Sequence, residues 1–534
     1  MGHDRSGSAH RFVNSTEKKI MTAPKVSVVV PAYNSGPHLE KLIASLLRQS
    51  LPPGQFEAVF VDDGSTDGTG SRLDELAAAH PHLRVVHIDN SGWPSRPRNV
   101  GVAHARGEYV FFADDDDWFG DEALERLYAY AAANDADMVI GKMAGHGRSV
   151  PRELFRKNRP RATLANAPLI DSLTSHKLFR RSFLNEHQIR FPEGRRRLED
   201  HAMVVRALLL SRRTCVLSDY VCYHHQRRQD AGNLTAHRLD PAGYFTNLRE
   251  VLDIVDAHVE PGPLRDRLHR RWLRNEITSR LRGKRLLEAP EEWAAQVALE
   301  SGKVIRERFA PGVAAGLPPL QRAITALAEQ DRLPDLRRLA EWEAGIRVRA
   351  RIDRRHVDGA VLTLAVTAAL ESGDQPVTLD AAHGRHRLVL PVDGLDPVLL
   401  EVSDLLARAR LDVVVRRKDG GEEFFLPVDG RQLEERPCRG GVRLVHHAMA
   451  RLDLSALNSG RPTGSWLLKA RITENGWTVD ARLPLMLHYA ADGAEPVLET
   501  LRVGLRARLG RVARRLFPWP SPAAPHGRRP AART

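Results

Sequence analysis

The sequence predicts an α/β domain on a mostly parallel sheet, followed by a helical segment and a β-rich C-terminal part. Three observations predict it. Apolar, β-branched runs alternate with helical periodicity over residues 25–145. Residues 237–343 are rich in Arg, Leu and Glu at helical spacing. From about Ile346 to Tyr489 the apolar period becomes two, with Gly/Asp turns, the pattern of one or two β-sandwich modules.

The elements follow in order. KVSVVVPAYN (25–34) is a strand ended by Pro31. His38 to Gln49 is a helix with Leu39, Leu42, Ile43, Leu46 and Leu47 on one face. EAVFVDDGS (57–65) is a second strand and Asp67 to His80 a helix. LRVVHID (83–89) is a third strand, Pro97 to Ala105 a helix, and EYVFFADDDD (108–117) a fourth strand ending in acids. Strands apolar on both faces belong to a parallel sheet covered by helices. Ligands of such sheets bind at the carboxyl ends of the strands, where PAYN, DDGS and DDDD all fall. Residues 146–236 read as irregular and basic, with a helix from about Glu199 to Arg212. The expected boundaries are an extension at 1–24, the α/β domain at 25–236, a helical linker at 237–343, an immunoglobulin-like β-rich domain at 344–495 and a basic tail at 496–534.

The chain has 534 residues, 42% hydrophobic and 28% charged, which excludes a largely disordered protein. Three cysteines cannot build a disulfide framework, and their spacing is not that of a zinc site. That usage fits a reducing compartment, and Cys215 and Cys222 are expected as packed apolar side chains. No apolar run reaches the ~18–20 residues of a membrane span. Residues 1–24 lack a signal peptide's apolar segment, read as a disordered extension, and leave Met21 as a second candidate start. The expected location is therefore cytoplasmic.

The net charge is +13, and nine Arg without an acid between Leu501 and Thr534 carry most of it. LRVGLRARLGRVARRLF (501–517) places Leu501, Leu505, Leu509, Val512 and Leu516 on one helical face, with Phe517 and Trp519 after it. A basic amphipathic helix with terminal aromatics reads as a membrane-surface segment, here on the inner face of the plasma membrane. No nucleic-acid-binding module accompanies the charge, so nucleic acid is not an expected partner.

Asp114, Asp115 and Asp116 follow an apolar strand. Carboxylates crowded at a strand end repel one another, and a hard divalent ion with oxygen ligands resolves the crowding. DDGSTDGTG (62–70) loosely mimics a calcium loop, but a strand precedes it and position 12 is Asp rather than Glu. It reads better as a strand-end carboxylate facing a nucleotide, with Asp67 serving the next helix. PAYNSG in place of GxGxxG argues against a dinucleotide fold, and the chain has no GxxxxGK[ST].

Together these segments resemble the family 2 glycosyltransferases of GT-A fold. The matching features are VSVVVPAYN, FVDDGSTDGT, the helix start Arg98-Asn99-Val100-Gly101, and YVFFADDDDW as the DxD segment. HKLFRRSFL (176–184), RFPEGRRRLEDH (190–201) and YVCYHHQRRQDAGNLT (220–235) extend the match over about residues 25–236. The helical linker and β-rich part are similar to the bacterial teichoic-acid and polyol-phosphate glycosyltransferases.

The resemblance implies roles. Pro31, Ala32, Tyr33 and Asp63 would hold the uracil of a UDP-sugar. Asn90 and Arg98 would contact the nucleotide, and Asp114 the ribose or diphosphate. Asp116 would be the main ligand of Mn²⁺ or Mg²⁺. Asp200 would be the catalytic base, and Arg227 or Arg228 would meet the diphosphate. Asp115, where the family favours a small residue, is either an outward bystander or a second ligand. His176 and Lys177 are candidate substrate contacts, with a surface loop the favoured reading. An alcohol acceptor loses its proton as it attacks the anomeric carbon, which a carboxylate such as Asp200 can accept. A helix start also favours negative charge there. The implied activity is inverting, metal-dependent transfer from a UDP-sugar, UDP-N-acetylhexosamine among the candidates, to a hydroxyl of a cell-wall or capsular polymer. A homo-oligomer through the β-rich domain is a further expectation. The alternative is a non-catalytic carbohydrate-binding scaffold with an inert α/β domain.

Overall fold

The computed structural model describes residues 23–227, 240–457, 463–490 and 496–501. The expectations on residues 1–22, on Arg228 and on the basic helix beyond Leu501 lie outside these residues. The chain divides into two compact units. One holds the residues up to Leu317 with Gln321–Ala340, and the other Pro318–Leu320 with the residues from Glu341 onward.

The first unit is built on one sheet. Its strands are β1 (Val26–Ala32), β2 (Phe56–Asp62), β3 (Leu83–His87), β4 (Tyr109–Phe112), β5 (Trp118–Phe119), β6 (Met138–His146), β7 (Arg159–Ala162), β8 (Leu178–Arg180) and β9 (Thr214–Gln226). Their order is β3-β2-β1-β4-β8-β6-β9-β5, with β7 also paired to β9. β1 runs parallel to β2 and β4, β2 to β3, and β6 to β9, while the short β8 is antiparallel to β4 and β6. Every residue of β1, β2 and β4 is buried, as strands covered on both faces must be. The helices are α1 (Leu39–Leu47), α2 (Thr69–Ala79), α3 (Ser95–His104), α4 (Ala123–Ala133), α5 (Arg181–Glu186) and α6 (Glu199–Leu210). α3 packs closely on β1. A Cβ at Gly101 would lie 2.3 Å from Val29 Cγ1, so glycine sets that approach.

Two expectations change here. Residues 146–227 are more regular than expected, because the 13-residue β9 runs through their last part. Its period is hidden in sequence by the exposed Asp219 and by register shifts around Lys142 on its partner β6. His176 and Lys177 are not on a surface loop but are 3% and 0% exposed. They precede β8, which is inserted between β4 and β6 and carries them into the interior.

The helical segment contains α7 (Pro241–Asp256), α8 (Pro263–Trp272), a π-helical turn Leu273–Ile277, a 3₁₀ turn Thr278–Arg280, α9 (Gly283–Leu287), α10 (Glu291–Arg308), α11 (Pro311–Ala315), α12 (Pro319–Glu329) and α13 (Leu333–Ala344). Asp240 caps α7, its Oδ2 accepting the Gly243 N–H at 2.7 Å. α7 packs on α6 and α10, so these helices share the unit of the sheet. Among the described residues no helix is long and apolar enough to cross a membrane.

The second unit is antiparallel throughout. One sheet is formed by β10 (Ile346–Asp358), β11 (Val361–Ser372), β12 (Gln375–Pro376), β13 (Leu379–Ala382) and β14 (Arg385–Leu388) with two later strands, β17 (Val428–Cys438) and β18 (Gly441–Asp453). The other comprises β15 (Arg410–Arg417), β16 (Glu423–Phe425), β19 (Gly464–Glu474), β20 (Trp477–Tyr489) and β21 (Val497–Thr500). Arg471, fully buried on β19, is balanced by Asp480 at 2.6 Å and Glu423 at 2.8 Å.

Candidate active site

The strand ends open into a cleft of about 580 Å³. Pro31, Ala32 and Tyr33 reach it from β1, Asp63 from the end of β2, Arg98 from α3, Asp114 and Asp116 from the end of β4, and Asp200 from α6. Eight of the ten expected site residues that are described therefore line one space. Asn90 is exposed outside the lining and donates from Nδ2 to the Asp63 carbonyl at 2.8 Å. Arg227, exposed just past β9, is also outside the lining, where Arg148 is found.

At one end of the cleft Tyr33 is 50% exposed, leaving a ring face open for stacking on a base. Asp63 is buried, its two carboxylate oxygens each accepting from Ser91, one from N and one from Oγ, both at 2.8 Å. The turn after Asp63 needs glycine. Gly64 has φ +71°, and a Cβ there would lie 2.8 Å from the Asn90 nitrogen. Asp67 accepts the Thr69 N–H at 3.0 Å, the structural role expected of it.

Beyond β4 the carboxylates crowd. Oxygens of Asp114, Asp116 and Asp117 all lie within 4.8 Å of one another. Asp117, which sequence reasoning left out, is completely buried. Its Oδ1 accepts the Gln226 N–H at 2.7 Å, while its buried Oδ2 has no hydrogen-bond partner. Burial, then Asp114 and Asp116, push its carboxyl well above the usual carboxylate range. Asp117, His176 and His225 form a second group of donor atoms at the same spacing. Burial and the neighbouring His176 lower His225 to about 2, so its ring is neutral. Crowded oxygens with an orphaned buried one fit a hard divalent cation. Asp115 also lines the cleft, and Ser35 Oγ donates to its Oδ2, tying the loop after β1 to the end of β4.

Arg98 joins this cluster to Asp200. Its buried guanidinium donates from Nη2 to Asp114 Oδ1 at 2.7 Å and from Nη1 to Asp200 Oδ1 at 3.0 Å. Burial opposes its charge, but Asp200 and Asp114 hold it firmly protonated. Asp114, despite burial, is kept well below the usual carboxylate range by His176 and Arg98. The other Asp200 oxygen faces Ser175 N at 3.3 Å and Oγ at 3.4 Å. Leu198, just before this helix turn, is held at φ +64°, a conformation a branched side chain adopts only under constraint. Glu199 beside it is raised to about 7 by burial and then by Asp200.

Lys177 is fully buried and donates from Nζ to the Thr174 carbonyl. Burial lowers it to about 7, with Asp200 only partly offsetting that effect. Between pH 7 and 10.5 the unfolded chain holds a proton there that the folded chain has lost, so folding gains stability as pH rises through that window. Lys177→Met removes the titration. The variant should be more stable than wild type at pH 6–7, by up to roughly 5 kcal/mol, with the gap closing above pH 10. Denaturant unfolding across that pH range measures it, and a gap independent of pH contradicts it.

The linker also lines the cleft, which sequence reasoning did not foresee. Tyr244 of α7, Glu276, Arg280 and Arg285 line the same space as Asp200. No motif marks them; the only signal was a dense run of Arg between Arg265 and Arg285.

Two family descriptions match the chain: glycosyl transferase family 2 over residues 27–193 and glycosyl transferase TarS linker domain over residues 241–340. A poly(ribitol-phosphate) beta-glucosyltransferase of Bacillus spizizenii is 32% identical over 235 residues, 44% of this chain and 37% of that protein. The chain thus spans under two fifths of that relative. The poly(ribitol-phosphate) beta-N-acetylglucosaminyltransferase TarP of Staphylococcus aureus strain N315 is 32% identical over 236 residues, 43% of this chain and 72% of that one. Among solved structures, S. aureus TarS 1–349 in complex with UDP-GlcNAc superposes with TM-score 0.56 at 26% identity, covering 70% of this chain and all of that one. With the strand order, the acid-ended β4 and these likenesses in agreement, the chain belongs to the family 2 glycosyltransferases of GT-A fold.

Proposed function

We propose that the chain transfers a sugar from a UDP-sugar to a hydroxyl of a cell-wall polyol-phosphate polymer, by one displacement that inverts the anomeric centre. The observation that carries this reading is Arg98, which binds a carboxylate of the metal-type cluster and the base-type Asp200 at once. A leaving-group site and a proton acceptor are thereby held beside one space. The relatives' printed names and the UDP-GlcNAc complex of TarS support the substrate classes.

Pro31, Ala32 and Tyr33 receive the uracil. Asp116, with Asp114 and Asp117, would hold Mn²⁺ or Mg²⁺. Such an ion, when bound, neutralises the charge of the departing diphosphate. Asp200 accepts the acceptor's proton as its oxygen attacks, on the face opposite the diphosphate. Arg98 and Ser175 keep that carboxylate oriented. Glu199, protonated for part of its time near neutral pH, can donate a hydrogen bond to a sugar oxygen. Arg280 and Arg285 suit an anionic acceptor, since guanidinium pairs well with phosphate. The tail is proposed to hold the protein at an anionic membrane surface and the β-rich unit to bind polymer or a second copy. Both Asp116 and Asp200 are in place in the cleft, which favours catalysis over the scaffold alternative.

The test is UDP release from a panel of UDP-sugars with Mn²⁺, with and without poly(ribitol phosphate). Acceptor-dependent release from one or two donors is expected. Polymer binding without release from any donor would support the scaffold.

A further inference from the structure

Resting on this transfer reading, we infer that Glu276 is the positioning residue of the acceptor side of the cleft, acting through Arg280 and Tyr244. One carboxylate gathers three donors. Its Oε1 accepts Arg271 Nη1 at 2.5 Å, and its Oε2 accepts the Tyr244 hydroxyl and Arg280 Nη2, the latter at 3.2 Å. Arg280 Nε donates to the Glu276 carbonyl at 2.8 Å, and the guanidinium lies 4.2 Å over the Tyr244 ring. The arginine that faces the cleft is thus fixed by a bidentate hold on one residue and by a ring beneath it.

The backbone is shaped for this. Glu276 stands in the π-helical turn Leu273–Ile277, followed at once by the 3₁₀ turn Thr278–Arg280. Single π-turns inside helical runs recur at functional sites, because they turn side chains out of regular register. Here the two turns bring Glu276 and Arg280 to the cleft that Tyr244 of α7 and His201 of α6 also line.

The charge balance supports the same role. Arg271 and Arg280 are both buried, and among the described residues Glu276 is the carboxylate that pairs with each. Arg271 above all, with Arg280 beside it, holds it ionised against its burial. His201, which follows Asp200 on α6, faces Arg271 and Glu276 and is neutral, lowered to about 3 by burial first. Two buried cations against one anion leave a net positive charge, and Arg280, with the exposed Arg285 beside it, directs that charge into the cleft. A carboxylate that merely pinned the linker to α6 would not need to orient the cleft-facing guanidinium.

The experiment uses the full chain, UDP-GlcNAc as donor and a ribitol-phosphate oligomer as acceptor. Glu276→Gln keeps the shape and removes the charge. Its acceptor KM should rise at least ~10-fold, the size of one charge-assisted hydrogen bond, with most of the loss in KM rather than kcat. Donor affinity by calorimetry should stay within about twofold, since the donor end of the cleft is untouched. Should that variant fail to fold, Tyr244→Phe removes one hydrogen bond and keeps the ring under Arg280. It should raise acceptor KM by about threefold, a smaller loss of the same kind. Unchanged acceptor KM in an active variant overturns the proposal, as does a parallel fall of donor affinity and melting temperature. A wild-type chain without acceptor-dependent UDP release overturns the transfer reading, and this proposal with it.

Discussion

Asp200→Asn lowers turnover by at least ~100-fold, the low end for removal of a general base, while UDP-sugar binding stays near native. Asparagine keeps the outline of the side chain, and its carbonyl oxygen can still accept from Ser175. What it loses is the basic oxygen for the acceptor proton. It also takes one of two carboxylates from the buried Arg98, leaving Asp114 as the remaining partner at 2.7 Å. Part of the loss is therefore expected as stability, since a buried cation deprived of one partner is costly. Calorimetry with the UDP-sugar separates the two effects. Native donor affinity with lost turnover supports the base, whereas lost donor affinity makes Asp200 a binding or structural residue.

The second large effect lies at the carboxylate cluster. Asp116→Ala, or chelation of the native enzyme with EDTA, should abolish turnover while the fold persists. Without metal, the variant should melt at or above wild type, because one of three crowded carboxylates is gone and Asp117 no longer faces two neighbours. Added Mn²⁺ should reverse the order. Wild type gains stability as the ion binds, about 2.7 kcal/mol at a concentration 100 times Kd, and the variant gains little. Undiminished activity after thorough chelation removes the metal role.

Much of this site was legible in sequence because its chemistry sits at strand ends. β1, β2 and β4 are apolar on both faces, so their ends stand out as the first polar residues after a buried run. Asp63 and Asp114 are read that way, and Pro31 by ending the apolar run of β1. The four-residue Asp run announced a cation site, but not which side chains face it. The structure ties Asp115 to Ser35 at the cleft wall and adds the buried Asp117 to the group of Asp114 and Asp116. What was not legible depends on long-range packing. Lys177 is interior only because β8 inserts between β4 and β6, both more than thirty residues earlier in the chain. Arg98 looked like a nucleotide contact, and its double pairing needs α6 brought beside α3. The linker's part in the cleft was hidden because Tyr244, Glu276 and Arg280 are spread over 37 residues and join only through an irregular helical turn. The β-rich part was recognised by its period of two, which reports a half-buried sheet and nothing about a ligand.

The central claim is a single displacement with Asp200 as base on the face opposite the diphosphate. The anomeric configuration of the product tests it most directly. Poly(ribitol phosphate) incubated with the full chain and α-linked UDP-GlcNAc, then examined by proton NMR, should carry β-linked sugar only. An α-linked product would mean retention and contradict the account.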